Sequence, residues 1–459
     1  MTSSISPISL SQLRTGLSGR VIGPEDAGYD AERAVLVGGY DLRPAAIVRV
    51  ANAEDVARIV AYARVTGTEL AVRSGGHSGA AHGSTDGGIV IDLRDLKRIE
   101  IDSGSRTAWA DAGLTAAEVA AATAEHGLAI GFGDTGSVGI GGITLGGGIG
   151  YLARRHGLTI DSLLEAEIVT ADGEVRLVDE AHEPDLFWAV RGGGGNFGVV
   201  TRFRFRLHRL DQVLGGMLIQ PATPELIADF MARAGAAPEA LSVIANVMPC
   251  PPMPFVPEEH HGSTVVFSMV CWSGDLGEGE RVLASLRELA EPIADLVKPI
   301  PYPEMFPPED PDYQPTAVGW TMFLDRVGPD EARTMLERIE ASDAPMRVVQ
   351  LRPLGGAVGR VQADATAFAH RSSPIMAIVA SFYDGADDRP RREAWVADLA
   401  ATLDQGLEGA YVNFVNDEGP ERVRAAYPGA TWDRLAAIKA RYDPTNLFHR
   451  NQNVPPATT

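Results

Sequence analysis

The sequence predicts a soluble fold that mixes strands with helices, and three observations carry that prediction. The first half alternates short β-branched runs with amphipathic helical stretches. Two glycine-dense segments interrupt the alternation, and the chain ends in a strongly helical tail. At 459 residues it is long enough for two or three domains. A composition that is 45% hydrophobic and 22% charged is that of a globular protein.

The elements follow in order. Residues 46–51 read as a strand. Residues 53–65 read as a helix with Val56, Ile59, Val60 and Ala63 on one face. The apolar run Leu70-Ala71-Val72 is strand-like, as are residues 88–93 and 108–111. Thr115 followed by Glu118 is a capping-box pattern, which starts a helix running to His126. Residues 166–170 and 175–178 flank Ala171-Asp172-Gly173 as a hairpin. Residues 184–190 are helix-like, and residues 199–207 alternate apolar and basic side chains as a half-exposed strand does. Past residue 212 the glycine-rich character fades. Pro249 to Pro257 and Pro299 to Pro315 are proline-rich; the second, with seven prolines, reads as a rigid surface loop. Residues 432–441 return to a helical pattern.

Charge and cysteine usage narrow the function. The 61 acidic residues against 40 basic ones leave a net charge of −21, which repels phosphate backbones and anionic lipid. Nucleic-acid and membrane partners are therefore not expected. Cys250 and Cys271 are too few for a disulfide framework, although they could pair; a reduced compartment is the simpler reading. The first residues lack a signal pattern, so a cytoplasmic location is expected. The uncharged stretch 135–153 is long enough to suggest a membrane span, but eight of its residues are glycine.

Chemistry concentrates around glycine. His77 sits in the turn Arg73-Ser74-Gly75-Gly76-His77-Ser78, directly after an apolar strand-like run. Small residues there let backbone N–H groups approach a pyrophosphate, and the histidine could offer a ring nitrogen to a cofactor. The second segment, residues 136–150, carries Val138, Ile140, Ile143, Leu145 and Ile149 among its glycines, unlike a polar linker. Each glycine costs roughly 1 kcal/mol against alanine in regular structure, which wrapping around a flat cofactor would offset. Gly193 to Gly198 fits G-x-G-x-x-G, but helix precedes it and strand follows, the reverse of a nicotinamide-binding turn. Glu258-Glu259-His260-His261 is not read as a metal site.

Taken together, these runs resemble the berberine-bridge-enzyme-like branch of the vanillyl-alcohol-oxidase superfamily of FAD-linked oxidases. The anchors are the His77 turn, Asp86 to Leu93, the second glycine segment, Asp185 to Thr201, Tyr411-Val412-Asn413, and Tyr442-Asp443-Pro444 with Asn451-Gln452-Asn453. The resemblance implies an α+β fold: a two-part PCMH-type FAD-binding domain plus an antiparallel-sheet substrate domain with helices. It places the FAD-binding part at residues 1–212, the substrate domain at 213–410, and a returning C-terminal segment at 411–459. It also implies FAD held covalently through His77, with Arg73, Ser74, Gly75, Gly76, Ser78 and Gly79 around it. Further cofactor contacts fall on Thr135, Ser137, Val138, Gly141, Gly142 and Gly148, on Asn196, Gly198, Val199 and Val200, and on Asn413, Asn451 and Asn453.

Three departures matter. Thr135 stands where many relatives carry a second, cysteine-linked flavin bond, so a single bond is expected. A glycine usual shortly after the histidine is Ala81, with Gly79 two residues earlier. Val138 occupies the position that gates dioxygen, where valine goes with oxidase behaviour. Tyr411 matches the family's proton-handling tyrosine. A phenol titrates near ~10, so it needs a basic partner, for which His370 and Arg371 are candidates. The expected activity is an oxidase. It removes a hydride from a small alcohol, hydroxy or amine substrate to flavin N5 and reduces O2 to hydrogen peroxide. Two alternatives remain at this point: a tailoring enzyme that couples oxidation to cyclisation, and a catalytically silent flavin-binding protein. Nothing in the sequence sets an oligomeric state.

Overall fold

The computed structural model describes residues 8–310 and 313–458. The first seven residues and part of the second proline-rich stretch lie outside that set.

Among the described residues, the N-terminal half holds two larger sheets and a two-stranded one that pairs Leu128–Ala129 with His208–Arg209. In the first, Ala46–Arg49 and Leu70–Arg73 both run parallel to the central Ile89–Asp92, and Arg20–Ile22 closes one edge. The crossover is the helix Ala53–Thr66. Asn52 caps its N-terminus by accepting from the Asp55 amide at 2.9 Å, and Gly67 ends it at φ +68°. Its buried face is Val56, Ile59, Val60 and Ala63, the set the periodicity assigned. The second sheet is antiparallel, in the order Ile99–Asp102, Thr107–Asp111, Val199–Arg206, Leu163–Val169, Val175–Val178. Thr115 and Glu118 form the expected capping box.

An eight-stranded antiparallel sheet contains the strands from Gln212–Pro221 to Ile375–Phe382. One face packs helices Pro224–Ala236, Pro329–Ala341 and Arg389–Leu403 through Phe230, Met335 and Leu399 against Val243, Ala377 and Val379. Because side chains alternate along a strand, Ile378 and Ala380 point to the opposite face, toward the N-terminal half.

The tail helix Ala430–Tyr442 brings the chain back. Lys439 is fully buried and pairs with Asp443 at 2.6 Å while donating to the carbonyls of Asn196 and Phe448. A buried charge is tolerable only with such complete satisfaction. Asn196 completes the joint: its amide donates to the Gln452 carbonyl and its Oδ1 accepts from the Val454 amide. The free cysteines Cys250 and Cys271 are both buried and unpaired. No helix among the described residues is long and apolar enough to cross a membrane.

Candidate active site

The two glycine segments, the open face of the large sheet and the returning tail enclose one cavity of about 470 Å³. The glycines are explained by where the loops cross. A Cβ at Gly75 would lie 2.3 Å from the Gly139 nitrogen, and one at Gly139 would lie 2.2 Å from the Gly75 nitrogen. The backbones touch, so neither position admits a side chain. Ser74 ties the crossing together by donating to the Ala112 carbonyl and accepting from the Gly141 amide.

His77 lies on the wall. Its Nε2 is 2.9 Å from Ser137 Oγ, and Ser137 is clamped through both its hydroxyl and its amide by the Glu309 carboxylate. An ionised carboxylate only accepts, so Ser137 donates to Glu309 and the imidazole donates through Nε2. That assignment leaves the Nδ1 lone pair free. Burial lowers the His77 pKa, with the Glu309 charge opposing, so the ring is neutral. Glu309 comes from the second proline-rich stretch, whose Pro315 lines the cavity. Ala81 adopts φ +53° despite its Cβ, whereas Gly79 is not among the positive-φ glycines; the loop keeps its left-handed turn without glycine there.

Tyr411 is 1% exposed and also lines the wall. Its oxygen faces three donors: the amides of Gly148 at 3.0 Å and Ile149 at 3.2 Å, and Asn413 Nδ2 at 2.9 Å. Gly147 and Gly148, at φ +126° and +82°, turn successive N–H groups toward that one atom. The Asn413 amide is oriented by the Ile143 carbonyl, to which it also donates. Burial raises the Tyr411 pKa; the amides of Ile149, Asn413 and Gly148 and the charge of Arg352 oppose it. Arg352 stacks on Phe414 at 5.3 Å, and Phe414 meets the Tyr411 ring edge-on at 5.2 Å. Neither expected basic partner serves. His370 bonds the Ala426 carbonyl and stacks on Phe323, and Arg371 forms a bidentate pair with Asp161.

Most of the expected cofactor residues meet on this wall: Ser74, Gly75, Gly76, Ser78, Gly79, Thr135, Val138, Gly141, Gly142, Gly198, Val199, Val200 and Asn451. Five more have protein partners, and two of these, Arg73 and Asn413, also line the cavity. The Arg73 guanidinium is committed to Asp92 and to the carbonyls of Glu32 and Ala34. Gly148 and Asn413 serve Tyr411, Asn196 serves the tail joint, and Ser137 serves His77. Asn453 is not on the wall, although its Oδ1 is buried without a partner. Sequence reasoning missed Glu309, Arg352 and His82. The last is a wall residue whose burial lowers its pKa to about 4.

The wall suits a large polar cofactor. Ser78 Oγ, His82 Nδ1 and Asn451 Oδ1 are buried there without protein partners. A Cβ at Gly142 would meet nothing within 4 Å. Buried polar atoms of this kind need partners that the protein itself does not supply.

Comparison with known proteins agrees. Residues 44–179 match the FAD binding domain family, and residues 410–455 match the family described as berberine and berberine like. Fold, cavity and these matches define an FAD-linked oxidoreductase. The chain is 32% identical to (R)-6-hydroxynicotine oxidase of Paenarthrobacter nicotinovorans over 97% of its own length and 99% of that protein. It is 31% identical to an FAD-linked oxidoreductase of Bacillus subtilis over 96% of its own length and 99% of that protein. The crystal structure of 6-hydroxy-D-nicotine oxidase from Arthrobacter nicotinovorans superposes with a TM-score of 0.84 at 27% identity, with all of both chains covered. The Physcomitrella patens BBE-like 1 structure shares the fold, with a TM-score of 0.86 at 22% identity, covering 98% of this chain and all of that one. The chain belongs to the berberine-bridge-enzyme-like family of FAD-linked oxidases.

Proposed function

We propose that the cavity holds one FAD bonded covalently to His77, and that the protein oxidises a small alcohol, hydroxy or amine compound with O2 as electron acceptor. The observation that carries this reading is His77, its Nε2 engaged by Ser137 and its Nδ1 on no protein partner, on the same wall as the Tyr411 oxygen. Bound FAD supplies a two-electron acceptor whose electrons pass on to O2 as hydrogen peroxide.

The chain's own residues do the rest. Ser137 and Glu309 hold the His77 ring in the tautomer that leaves Nδ1 available for the bond. Thr135 offers no thiol for a second bond. The glycine crossing admits a pyrophosphate close to backbone N–H groups. Tyr411 handles the proton of the substrate heteroatom. Burial keeps its phenol protonated at neutral pH, and the Gly148, Ile149 and Asn413 donors stabilise the anion when the proton leaves. Val138 on the wall leaves room for O2.

The test is a denaturing gel scanned for flavin fluorescence with His77→Ala alongside, followed by a peroxide assay on active holoenzyme. A fluorescent wild-type band, a dark variant and stoichiometric peroxide are expected. A dark wild-type band from yellow protein sinks the covalent bond, and turnover under air without peroxide sinks the oxidase reading.

A further inference from the structure

The large sheet offers the cavity a wall with no polar side chain. Its lining residues are Pro315, Val318 and the five that carry the argument: Ala317, Gly319, Ile378, Ala380 and Phe382. The pairing explains the continuity. Gly319 sits opposite Ala380, and Ala317 opposite Phe382, so these four share one face of adjacent strands. Phe414 adds a second aromatic ring to the wall.

Polar groups on the neighbouring strand of the same face are already occupied. Gln350, opposite Ile378, donates to Asn246 Oδ1 at 2.8 Å and accepts from Arg352. Asn246 donates in turn to the Phe267 carbonyl. Asp134, the acidic residue on the wall, is paired with Arg352 at 2.6 Å. No uncompensated carboxylate therefore waits for an ammonium ion. Beside the sheet, Asn413 Nδ2 is used up on Tyr411 and Ile143 and Asn416 Nδ2 donates to the Gly319 carbonyl, which leaves only their Oδ1 acceptors at the edge of this wall. The Tyr411 oxygen remains as the polar anchor at this end of the cavity.

From this juxtaposition we infer that the substrate is a compact, uncharged, ring-bearing alcohol or amine, held by one heteroatom at Tyr411 and otherwise by apolar contact, and not a saccharide. The inference rests on the oxidase reading above and specifies its substrate class. A sugar brings several hydroxyls, each needing a partner when desolvated, and this wall provides none. A flat apolar ring loses nothing on the same surface and gains contact with Phe382 and Phe414. Ala380 and Gly319 decide how bulky that ring can be, since a Cβ at Gly319 meets only ordinary contacts near 3.6 Å.

The experiment uses purified holoenzyme whose flavin content is first fixed by absorbance. Benzyl alcohol, cyclohexanol and cinnamyl alcohol are compared with maltose, cellobiose and xylobiose at millimolar concentration. Perturbation of the flavin spectrum reports binding, and anaerobic bleaching reports reaction. The expected outcome is a bleaching rate constant roughly 100-fold or more higher for at least one ring compound than for any sugar, the penalty of two unpaired hydroxyls. Ala380→Leu, and the larger Ala380→Phe, are expected to weaken binding of the ring compound stepwise while flavin content stays at the wild-type ratio. Sugars bleaching faster, neither class perturbing the flavin, or Ala380 variants binding rings as wild type does would each overturn the inference. A protein that takes up no flavin would instead fail the oxidase reading itself.

Discussion

Replacing Tyr411 with phenylalanine deletes one buried oxygen and leaves three donors aimed at an empty position. The Gly148 and Ile149 amides lose their partner outright, while Asn413 keeps the Ile143 carbonyl. At ~1–3 kcal/mol for each buried donor left unpaired, the two backbone groups set a loss of about 2–6 kcal/mol, softened if water enters. Proton handling contributes typically ~10²–10⁴-fold, so kcat/KM should fall by about that range. The pH profile separates the two effects. Burial places the Tyr411 pKa above its ordinary value, so the phenolate fraction, and with it kcat/KM, climbs with pH through the alkaline range. The variant should lack that limb. Linkage has the opposite sign for stability. The folded state holds this proton more tightly, so the unfolded chain ionises first and stability falls as pH rises past ~10. Steady-state kinetics across pH and thermal unfolding of both proteins provide the assay. A variant with kcat/KM within threefold of wild type and the same alkaline limb would refute the role given to Tyr411.

Three further perturbations test the architecture. Gly75→Ala puts a Cβ 2.3 Å from the Gly139 nitrogen, so the crossing must open by about 1 Å to reach normal contact; the flavin-to-protein ratio after purification should drop, and a full ratio would contradict the cradle. Glu309→Gln weakens the clamp on Ser137 and with it the set of the His77 ring, so covalent incorporation should slow severalfold, read as FAD released by acid precipitation over time; wild-type incorporation kinetics would remove Glu309 from that role. Lys439→Met breaks a buried pair and strips the Asn196 and Phe448 carbonyls of a donor, a loss of about 3–5 kcal/mol in thermal or urea unfolding; an unchanged midpoint would show that the joint carries no load.

The cradle was legible because its signal is local. Gly75 and Gly139 forbid a side chain wherever they meet, and a glycine-flanked histidine after a strand has few structural reasons to exist. Capping at Thr115 and the apolar face of the helix Ala53–Thr66 are likewise written within a few residues. Not legible were the partners that lie far along the chain. Asn413 bonds the Ile143 carbonyl across 270 positions, Asn196 bonds the Gln452 carbonyl across 256, and Ser137 meets Glu309 across 172. No periodicity or spacing reports such pairs. His370 and Arg371 were attractive partners for Tyr411 only because they are basic; packing turned one toward Ala426 and the other toward Asp161.

By itself, then, the sequence determined the family and pointed to the glycine segments around His77 and to a threonine, with no thiol, at position 135. Each rests on residue identity in a short window, where backbone sterics or ring chemistry leaves little choice. Tertiary structure alone decided which nitrogen of His77 is free, which groups surround the Tyr411 oxygen, and that the large sheet gives the cavity an apolar wall. Those properties belong to surfaces assembled from distant strands, loops and the tail. They exist only once burial has forced each polar group to find its partner.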